Sequence, residues 1–339
     1  GERVPPCDFP LALHRETAGC GILEITFVHF LIDAPAAWDA GHLGSSDVTV
    51  AILDTGIDYE HADLAGHVDL SRSISLRPED DALLADVFPG AHPIADLHYH
   101  GTHVASTVVS NALAAAGVTS QTTVFGVKVC SVFGGCTRIF DAIEHAVLNG
   151  ADIINMSLGG HFRKRDFPGA ASVINRYFSW AHSNGVLVVV SAGNEAIDLD
   201  HDGDGFKTYC DAPNVVCVSA TGPTARGSVN GPFENIDAPA YFTNYGRSAI
   251  SVAAPGGNTG NFVYAACSGF SLVIPVCQTG TFVVGVGGTS MSAPHVAGVA
   301  SLIAAQGTTH PSQIRTRLQN SAVDLGDPGT DPFNGNGML

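Results

Sequence analysis

The chain has 339 residues, which is enough for one large α/β domain or two smaller domains. Its formal net charge is −17, with 15 Lys and Arg against 32 Asp and Glu, so its surface repels phosphates and we expect no nucleic-acid partner. The hydrophobic content of 45% favours a large buried core, yet no apolar run approaches the length of a membrane span, so we expect no membrane partner.

The first part of the chain is poorly patterned. We interpret residues 1–37 as an N-terminal extension packed on a domain formed by residues 38–339. Residues 38–44 predict a short helix, and the β-branched run 48–53 predicts a buried strand that ends just before Asp54. Residues 65–99 predict a long loop, in which the acidic cluster 79–81 forms a solvated turn.

Strand and helix patterns alternate through the rest of the chain. Further short apolar runs predict strands at 124–129, 151–156, 186–191, 215–220 and 249–253. One helix pattern begins at His100, and others occur at 137–148, within 167–184 and in the run 296–305. This alternation favours right-handed βαβ units, and therefore an α/β fold with a doubly wound, mostly parallel sheet flanked by helices on both faces.

A serine-containing block occupies residues 287–298, with the sequence GGTSMSAPHVAG. Small residues lead into Ser290, and Pro294 fits the first turn of the following helix, where a missing N–H costs nothing. A serine at a helix N-terminus lies beside free N–H groups and the positive end of the dipole, where a developing oxyanion is stabilised. The alternative is a Gly-Ser loop that caps an ordinary helix.

Two other blocks decide between these interpretations. Asp54 opens an Asp-Thr-Gly block after the first strand, and His100 opens a His-Gly-Thr-His block. With the serine block, they place Asp54, His100 and Ser290 in the chain order known for subtilisin and not for two unrelated triad folds. On these three blocks the chain resembles the subtilisin-like serine proteases, the subtilase family, over roughly residues 38–337.

The resemblance implies a catalytic mechanism. A serine hydroxyl is a poor nucleophile and needs an adjacent base, so Ser290 would attack a peptide carbonyl while His100 takes its proton and Asp54 orients the imidazole. Asn194, in the block 191–195, is the candidate oxyanion donor together with the N–H of Ser290; the alternative is a turn asparagine after a strand. His103 is the competing base, but the resemblance selects the first histidine of its block.

The same resemblance implies two segments that would hold a substrate in an extended conformation. Glycines allow a substrate backbone to approach closely, although each segment is also compatible with an ordinary glycine turn. Glu195 near the cleft would favour a basic substrate side chain, whereas the basic cluster 163–165 is either solvated or binds an acidic stretch of substrate. The predicted substrate-binding residues are Gly134, Gly135, Cys136, Ser157, Leu158 and Gly159.

An acidic stretch predicts a structural calcium site. Counting Asp200 as position 1, carboxylates stand at positions 3, 5 and 12 with glycine at 6, which is the spacing of an EF-hand loop with Asp in place of the last Glu. A register beginning at Asp198 and a solvated acidic loop are the alternatives. The family's usual calcium loop should lie near 111–117, but that stretch lacks carboxylates. The predicted calcium ligands are Asp200, Asp202, Asp204, Phe206 and Asp211.

The eight cysteines fall into close pairs along the sequence. Eight cysteines allow 105 pairings, so the sequence alone does not establish connectivity. We hypothesise four local disulfides, and hence a secreted protein, with free thiols as the alternative. The hypothesised pairs are Cys7 with Cys20, Cys130 with Cys136, Cys210 with Cys217, and Cys267 with Cys277.

These observations predict a secreted serine endopeptidase that works through an acyl-enzyme on protein or peptide substrates. By family analogy it is made with an inhibitory propeptide, and we expect a monomer. Two alternatives keep the fold: a catalytically silent homologue that acts as a binding module, and an exopeptidase with a blocked cleft.

Overall fold

A seven-stranded parallel sheet forms the centre of the computed structural model, which describes residues 29, 31–160, 162–227 and 232–339. The strand order is β11-β8-β6-β4-β1-β3-β2, and every neighbouring pair in the sheet is parallel. The strands are β1 Thr49–Asp54, β2 Ile74–Ser75, β3 Thr123–Lys128, β4 Ile153–Met156, β6 Leu187–Ser191, β8 Val215–Thr221 and β11 Val252–Pro255.

Helices cover both faces of this sheet. Along β1, Ala51 and Leu53 join one core cluster, which includes residues of α4 and α5, while Val50 and Ile52 join the opposite cluster, with α3, α6 and α7. Alternate residues of one strand therefore bury on opposite faces, which confirms the predicted doubly wound α/β fold. The helices are α1 Ala34–Asp39, α2 Pro78–Val87, α3 His100–Val108, α4 Ile139–Leu148, α5 Ala170–Ser183, α6 Thr289–Ala305 and α7 Pro311–Ser321.

Within the described residues, three short antiparallel pairs lie outside the main sheet. They are β5 Phe162–Arg163 with β7 Gly205–Phe206, β9 Ala225–Arg226 with β10 Phe233–Glu234, and β12 Val263–Cys267 with β13 Phe282–Val286. Three hypothesised disulfides, Cys130–Cys136, Cys210–Cys217 and Cys267–Cys277, are confirmed, and the last one staples the β12–β13 hairpin. The pair Cys7 and Cys20 lies outside the described residues.

Two local predictions are wrong. The short helix expected at 38–44 lies at 34–39 instead, because Pro35 occupies its first turn and Gly41 has a left-handed φ of 83° just after it. The loop expected at 65–99 contains α2, which begins with Pro78 and carries the acidic cluster 79–81 in its first turn. Both features favour a helix start, since acidic side chains there interact well with the helix dipole.

Candidate active site

The end of β1 and the start of α3 bring Asp54 and His100 together. The Asp54 carboxylate is only 1% exposed, and its Oδ1 lies 2.7 Å from Nδ1 of His100. The neighbouring residues hold the two elements in register, because the N–H of Gly101 donates to the hydroxyl of Thr55 at 2.9 Å. A Cβ on Gly101 would lie 2.1 Å from the carbonyl oxygen of Gly56, so only glycine permits this approach.

The electrostatics of His100 suit a general base. Burial by itself lowers the pKa of this imidazole, but the charge of Asp54, its hydrogen bond and the charge of Asp96 together raise the pKa above its usual value. Nδ1 is engaged by Asp54, which leaves Nε2 as the nitrogen that can exchange a proton with a substrate or nucleophile. The His100 side chain is 22% exposed, so solvent or a ligand can reach it.

His103 has a different environment. Its side chain is fully buried, and its Nε2 lies 3.1 Å from the carbonyl oxygen of Val263. Burial lowers the pKa of His103 to about 3, so the imidazole is neutral at physiological pH. Because Asp54 contacts His100 and His103 is enclosed in the core, His100 is the better candidate for the base.

Ser290 is the second residue of α6, as the serine block predicted. Its Oγ donates to the carbonyl oxygen of Ser157 at 3.3 Å, and among the described residues it forms no hydrogen bond with His100. A hydroxyl hydrogen rotates freely, and contacts between catalytic groups are often loose before a substrate binds. The N–H of Ser290 is one of the first four of the helix, which have no acceptor within the helix.

Pro294 does not lie in the first helical turn, and that prediction is wrong. Since α6 begins at Thr289, Pro294 lies inside the helix, where it offers no N–H to the carbonyl of Ser290 four residues earlier. The hydroxyl of Ser157 donates to this carbonyl instead, at 2.8 Å, and Nδ2 of Asn155 donates to the same hydroxyl at 3.0 Å. The proline therefore leaves the carbonyl of Ser290 free to accept from Ser157, which connects Ser290 to the segment after β4. The sequence did not predict this positioning role of Ser157 and Asn155.

Asn194 follows β6 and lies beside the start of α6. Its Oδ1 accepts hydrogen bonds from the N–H and the hydroxyl of Thr289, at 2.9 and 3.0 Å. The Thr289 hydroxyl in turn accepts from the N–H of Gly193 at 3.0 Å. With its oxygen engaged in this way, the amide presents Nδ2 as a donor, and Nδ2 is 3.6 Å from the Cβ position of Gly288, two residues before Ser290.

The first predicted substrate segment is an exposed glycine turn closed by a disulfide. Gly134 and Gly135 have left-handed φ values of 95° and 79°, and Cys130 is bonded to Cys136 across the turn. The carbonyl of Gly135 accepts from the N–H of Ser131 at 3.0 Å. This turn requires glycine because L residues rarely adopt such φ values.

An unexpected carboxylate anchors this turn. Asp80, which we predicted in a solvated turn, is 2% exposed, and its Oδ1 accepts from the hydroxyl of Ser131 at 2.8 Å. Its Oδ2 accepts from the N–H of Val132, also at 2.8 Å. The solvated assignment is therefore wrong for Asp80, since a buried carboxylate needs such donors and the turn supplies them from a position 51 residues away.

The second predicted substrate segment continues from β4. Ser157 and Leu158 are buried, whereas Gly159 is exposed. A Cβ on Gly159 would lie 2.4 Å from the carbonyl oxygen of Lys207, and that carbonyl accepts from the N–H of Gly160 at 3.1 Å. Glycine at 159 thus lets the segment pass close to the backbone that follows β7.

The predicted calcium ligands do not converge. Lys164 Nζ lies 3.4 Å from Oδ1 of Asp202 and 3.1 Å from Oδ2 of Asp211. Arg165 Nε lies 3.1 Å from Oδ2 of Asp204. Three of the four carboxylates therefore contact protein cations, which the EF-hand spacing does not reveal because the cations precede the loop by about 40 residues.

Asp200 also has another partner, because its carboxylate accepts from the hydroxyl of Ser248. Phe206, whose backbone carbonyl would be the ligand, lies opposite Phe162 in the β5–β7 pair. Within the described ranges, no group of three or more His, Cys, Asp and Glu side chains is arranged to hold a metal ion. The predicted ligand set does not fit calcium as it is arranged.

The loop near 111–117 satisfies a buried carboxylate with backbone groups. Oδ1 of Asp63 accepts from the N–H groups of Leu113 and Ala114, at 2.7 and 2.9 Å, and Oδ2 accepts from Ala115 at 2.9 Å. Asp63 is completely buried, so these donors replace the water that the carboxylate loses on folding.

Comparisons with known proteins bear on this arrangement. A model of the Subtilase family matches residues 45–337. Subtilisin from Bacillus pumilus is 31% identical over 300 residues, which are 87% of this chain and 90% of that protein. Subtilisin amylosacchariticus, from Bacillus subtilis subsp. amylosacchariticus, is 31% identical over 301 residues, 87% of this chain, and halolysin, from Haloferax mediterranei, is 33% identical over 309 residues, 90% of this chain.

The chain spans only 65% of the length of subtilisin amylosacchariticus and 50% of that of halolysin. Among solved structures, the crystal structure of a lanthipeptide protease superposes with a TM-score of 0.73, covering 94% of this chain and 92% of that one. The sequence identity in that comparison is 23%, so it supports the fold alone.

Proposed function

The chain belongs to the subtilase family, and on this premise we propose that it is a secreted serine endopeptidase with the triad Asp54, His100 and Ser290. The observation that carries the proposal is the hydrogen bond at 2.7 Å between a buried carboxylate and Nδ1 of a part-exposed histidine. This pair occurs in a chain that also holds a serine at the start of a helix. A carboxylate that fixes a histidine tautomer is the arrangement that makes a neighbouring serine nucleophilic.

In the proposed reaction, the Oγ of Ser290 forms a bond to the peptide carbonyl carbon as Nε2 of His100 takes the hydroxyl proton. The imidazolium is stabilised by Asp54 and then gives its proton to the leaving amine, which breaks the peptide bond and leaves an ester on Ser290. Water, deprotonated by His100, then attacks this ester; the bond to Oγ breaks, the acid product leaves, and His100 returns the proton to Ser290. The raised pKa of His100 favours the imidazolium that both steps require.

The charge that develops on the carbonyl oxygen needs donors at the start of α6. We assign this role to Nδ2 of Asn194 and to the N–H of Ser290. Asn194 is suited to it because Thr289 engages its oxygen, which fixes the amide so that the nitrogen remains the donor. Preorganised donors of this kind stabilise the transition state without reorganising during the reaction.

The substrate backbone would lie between segments 134–136 and 157–159, which reach the surface at Gly134, Gly135 and Gly159, with Cys136, Ser157 and Leu158 contributing to the walls. Both segments place glycine at the surface, and the first is held by Asp80 and a disulfide. A rim that is held in place before binding lowers the ordering cost when a strand-like peptide is added.

Several broader features belong to the same proposal. The disulfides fit an oxidising compartment, and within the described residues no helix is long and apolar enough to cross a membrane. We propose residues 38–339 as the catalytic domain, residues 1–37 as an extension, an inhibitory propeptide during maturation, and a monomeric enzyme. Calcium binding stays a prediction that a chelator tests, without the ligand set at 200–211.

The test is digestion of a denatured protein and of internally quenched peptides, with Ser290→Ala as the inactive control. We expect internal cleavage that a serine-directed phosphonate abolishes. Release of only terminal residues or dipeptides would replace the proposal with an exopeptidase. Absence of both cleavage and phosphonate labelling, with binding of peptides retained, would indicate a silent homologue.

A further inference from the structure

A pocket of about 410 Å³ lies directly after the second substrate segment. The segment reaches it through Gly160, whose N–H donates to the carbonyl of Lys207 at 3.1 Å. Ser157, which exchanges hydrogen bonds with Ser290, precedes Gly160 by three residues, or about 10 Å of extended chain. The lining residues are Phe162, Arg163, Arg165, Asp204, Gly205 and Lys207.

The β5–β7 pair builds this pocket. Arg163 lies directly opposite Gly205 in the antiparallel register, and a glycine at that position leaves the space beside the arginine open. The Cε of Lys207 lies 3.8 Å from the Cβ position of Gly205, so the lysine side chain runs along the same glycine. Phe162 contributes an apolar wall, which is fixed by its stacking on Phe206 at 4.4 Å.

The charge of the pocket is positive in an otherwise acidic chain. Three lining residues are cationic and one is anionic, which gives a formal charge of +2 against −17 for the whole chain. Asp204 is engaged by Arg165, at 3.1 Å. The guanidinium of Arg163 forms no ion pair with any residue in the described part of the chain, whereas the neighbouring Lys164 is turned to Asp202 and Asp211.

We propose that this pocket binds an acidic side chain, Asp or Glu, located one to three residues from the scissile bond of the substrate. The inference rests on the proposed endopeptidase function and names its substrate class. A carboxylate is the group that a planar guanidinium recognises best, and the open space beside Arg163 leaves room for it.

A basic preference set by Glu195 is the competing hypothesis, and the peptide series below tests the two against each other. Oε2 of Glu195 accepts from Nδ2 of Asn244 at 2.6 Å, and the same nitrogen donates to the carbonyl of Ala192 at 2.9 Å. Glu195 is thereby drawn toward Asn244, while the cations line the pocket.

The experiment compares kcat/KM for quenched peptides that carry Glu, Gln or Lys at each of the three positions. At one position we expect Glu to exceed Gln by about tenfold at low salt, because charge-assisted contacts at a partly exposed site are of this size. The ratio should fall as NaCl is raised, since exposed charges are screened.

Variants assign the preference to the pocket. Arg163→Gln should reduce the Glu-to-Gln ratio several-fold, and Arg163→Glu should invert it in favour of Lys. Lys164→Gln is the matched control from the same basic cluster, and its ratio should equal that of the wild type because its ammonium contacts Asp202 and Asp211 instead.

The outcomes separate this inference from the function it rests on. Efficient cleavage with a Glu-to-Gln ratio near one at every position, or a preference for Lys, would overturn the acidic specificity and leave the endopeptidase intact. If no peptide is cleaved, fluorescence anisotropy compares the affinities of the Glu and Gln peptides for the Ser290→Ala protein. Equal affinities would overturn the inference.

Discussion

Two groups of carboxylates in this molecule behave in opposite ways. Asp54, Asp63 and Asp80 are buried, and each accepts hydrogen bonds from groups that are distant in sequence. The carboxylates of the acidic loop 200–211, by contrast, lie mostly at the surface, where they contact Lys164, Arg165 or Ser248. Buried carboxylates with fixed donors determine geometry, whereas exposed ion pairs contribute little free energy.

The largest effect should follow from Asp54→Asn. The amide can present an N–H to Nδ1 of His100, which stabilises the wrong tautomer, so kcat should fall about 10⁴-fold at neutral pH. Steady-state kinetics on a quenched peptide measure this, with Asp211→Asn as the control from the exposed group. A loss below tenfold would remove Asp54 from the proposed mechanism.

The buried histidines extend the comparison to acid pH. Burial lowers the pKa of His29 to about 3, of His103 to about 3 and of His295 to about 4, below the ordinary value of 6.5. As the pH falls through 6.5 the unfolded chain takes up protons that the folded chain does not, so stability is complete above about pH 7 and is lost toward pH 4.

The free energy of unfolding should therefore fall by up to about 1.4 kcal/mol per pH unit for each histidine, or by up to about 4 kcal/mol per pH unit for the three together. His100 acts in the opposite direction because its pKa is raised. Urea titrations at pH 7, 6 and 5 measure the slope. A free energy that stays constant over this range would contradict the neutral, buried state of these side chains.

Asn194→Ala should lower kcat by about 10²–10³, the figure known for the amide oxyanion donor of a subtilisin. The loss reflects a missing donor at the developing oxyanion, so KM should change little. Asn194 also accepts from Thr289, and thermal melting is therefore measured alongside the kinetics. Unchanged turnover in a folded variant would exclude Asn194 from catalysis.

Asp80→Ala tests whether the buried anchor of the glycine turn matters for substrate binding. Removing it leaves the donors of Ser131 and Val132 without their acceptor, at a cost of about 1–3 kcal/mol in stability. We expect KM to rise more than kcat falls, because the anchor positions the substrate segment and not the triad. Glu79→Gln, in the same helical turn but exposed, is the control, and equal effects of the two variants would contradict this role.

The smallest effect should come from the acidic loop. Asp204→Asn removes the contact with Arg165, an exposed pair worth about 0–1 kcal/mol. Because Asp202, Asp204 and Asp211 contact protein cations and Asp200 contacts Ser248, adding EGTA should leave the cleavage of this loop by trypsin unchanged. A chelator-dependent loss of protection at 200–211 would restore the calcium interpretation.

The positions predicted best from the sequence are those where two backbone segments approach closely, because few residue types fit there. Gly101 is required for the contact between β1 and α3, so the blocks around Asp54 and His100 encode their own geometry. Buried parallel strands also leave a clear apolar signature, which is why the sheet was predicted.

Partners that are remote in sequence were missed. Nothing near Asp80 indicates that its carboxylate would be buried and would accept from Ser131. Nothing in the acidic loop indicates that its carboxylates would pair with Lys164 and Arg165. Pro294 was placed in a first helical turn because the apolar run after it is easy to recognise, while the helix begins five residues earlier, at Thr289.

The measurement that tests the central claim most directly is peptide mapping by mass spectrometry after reaction with a serine-directed phosphonate. The account predicts a single adduct, on the peptide that contains Ser290, and a strongly reduced rate of labelling in His100→Gln. An adduct on another serine, or labelling of Ser290 that proceeds at the wild-type rate without His100, would contradict it.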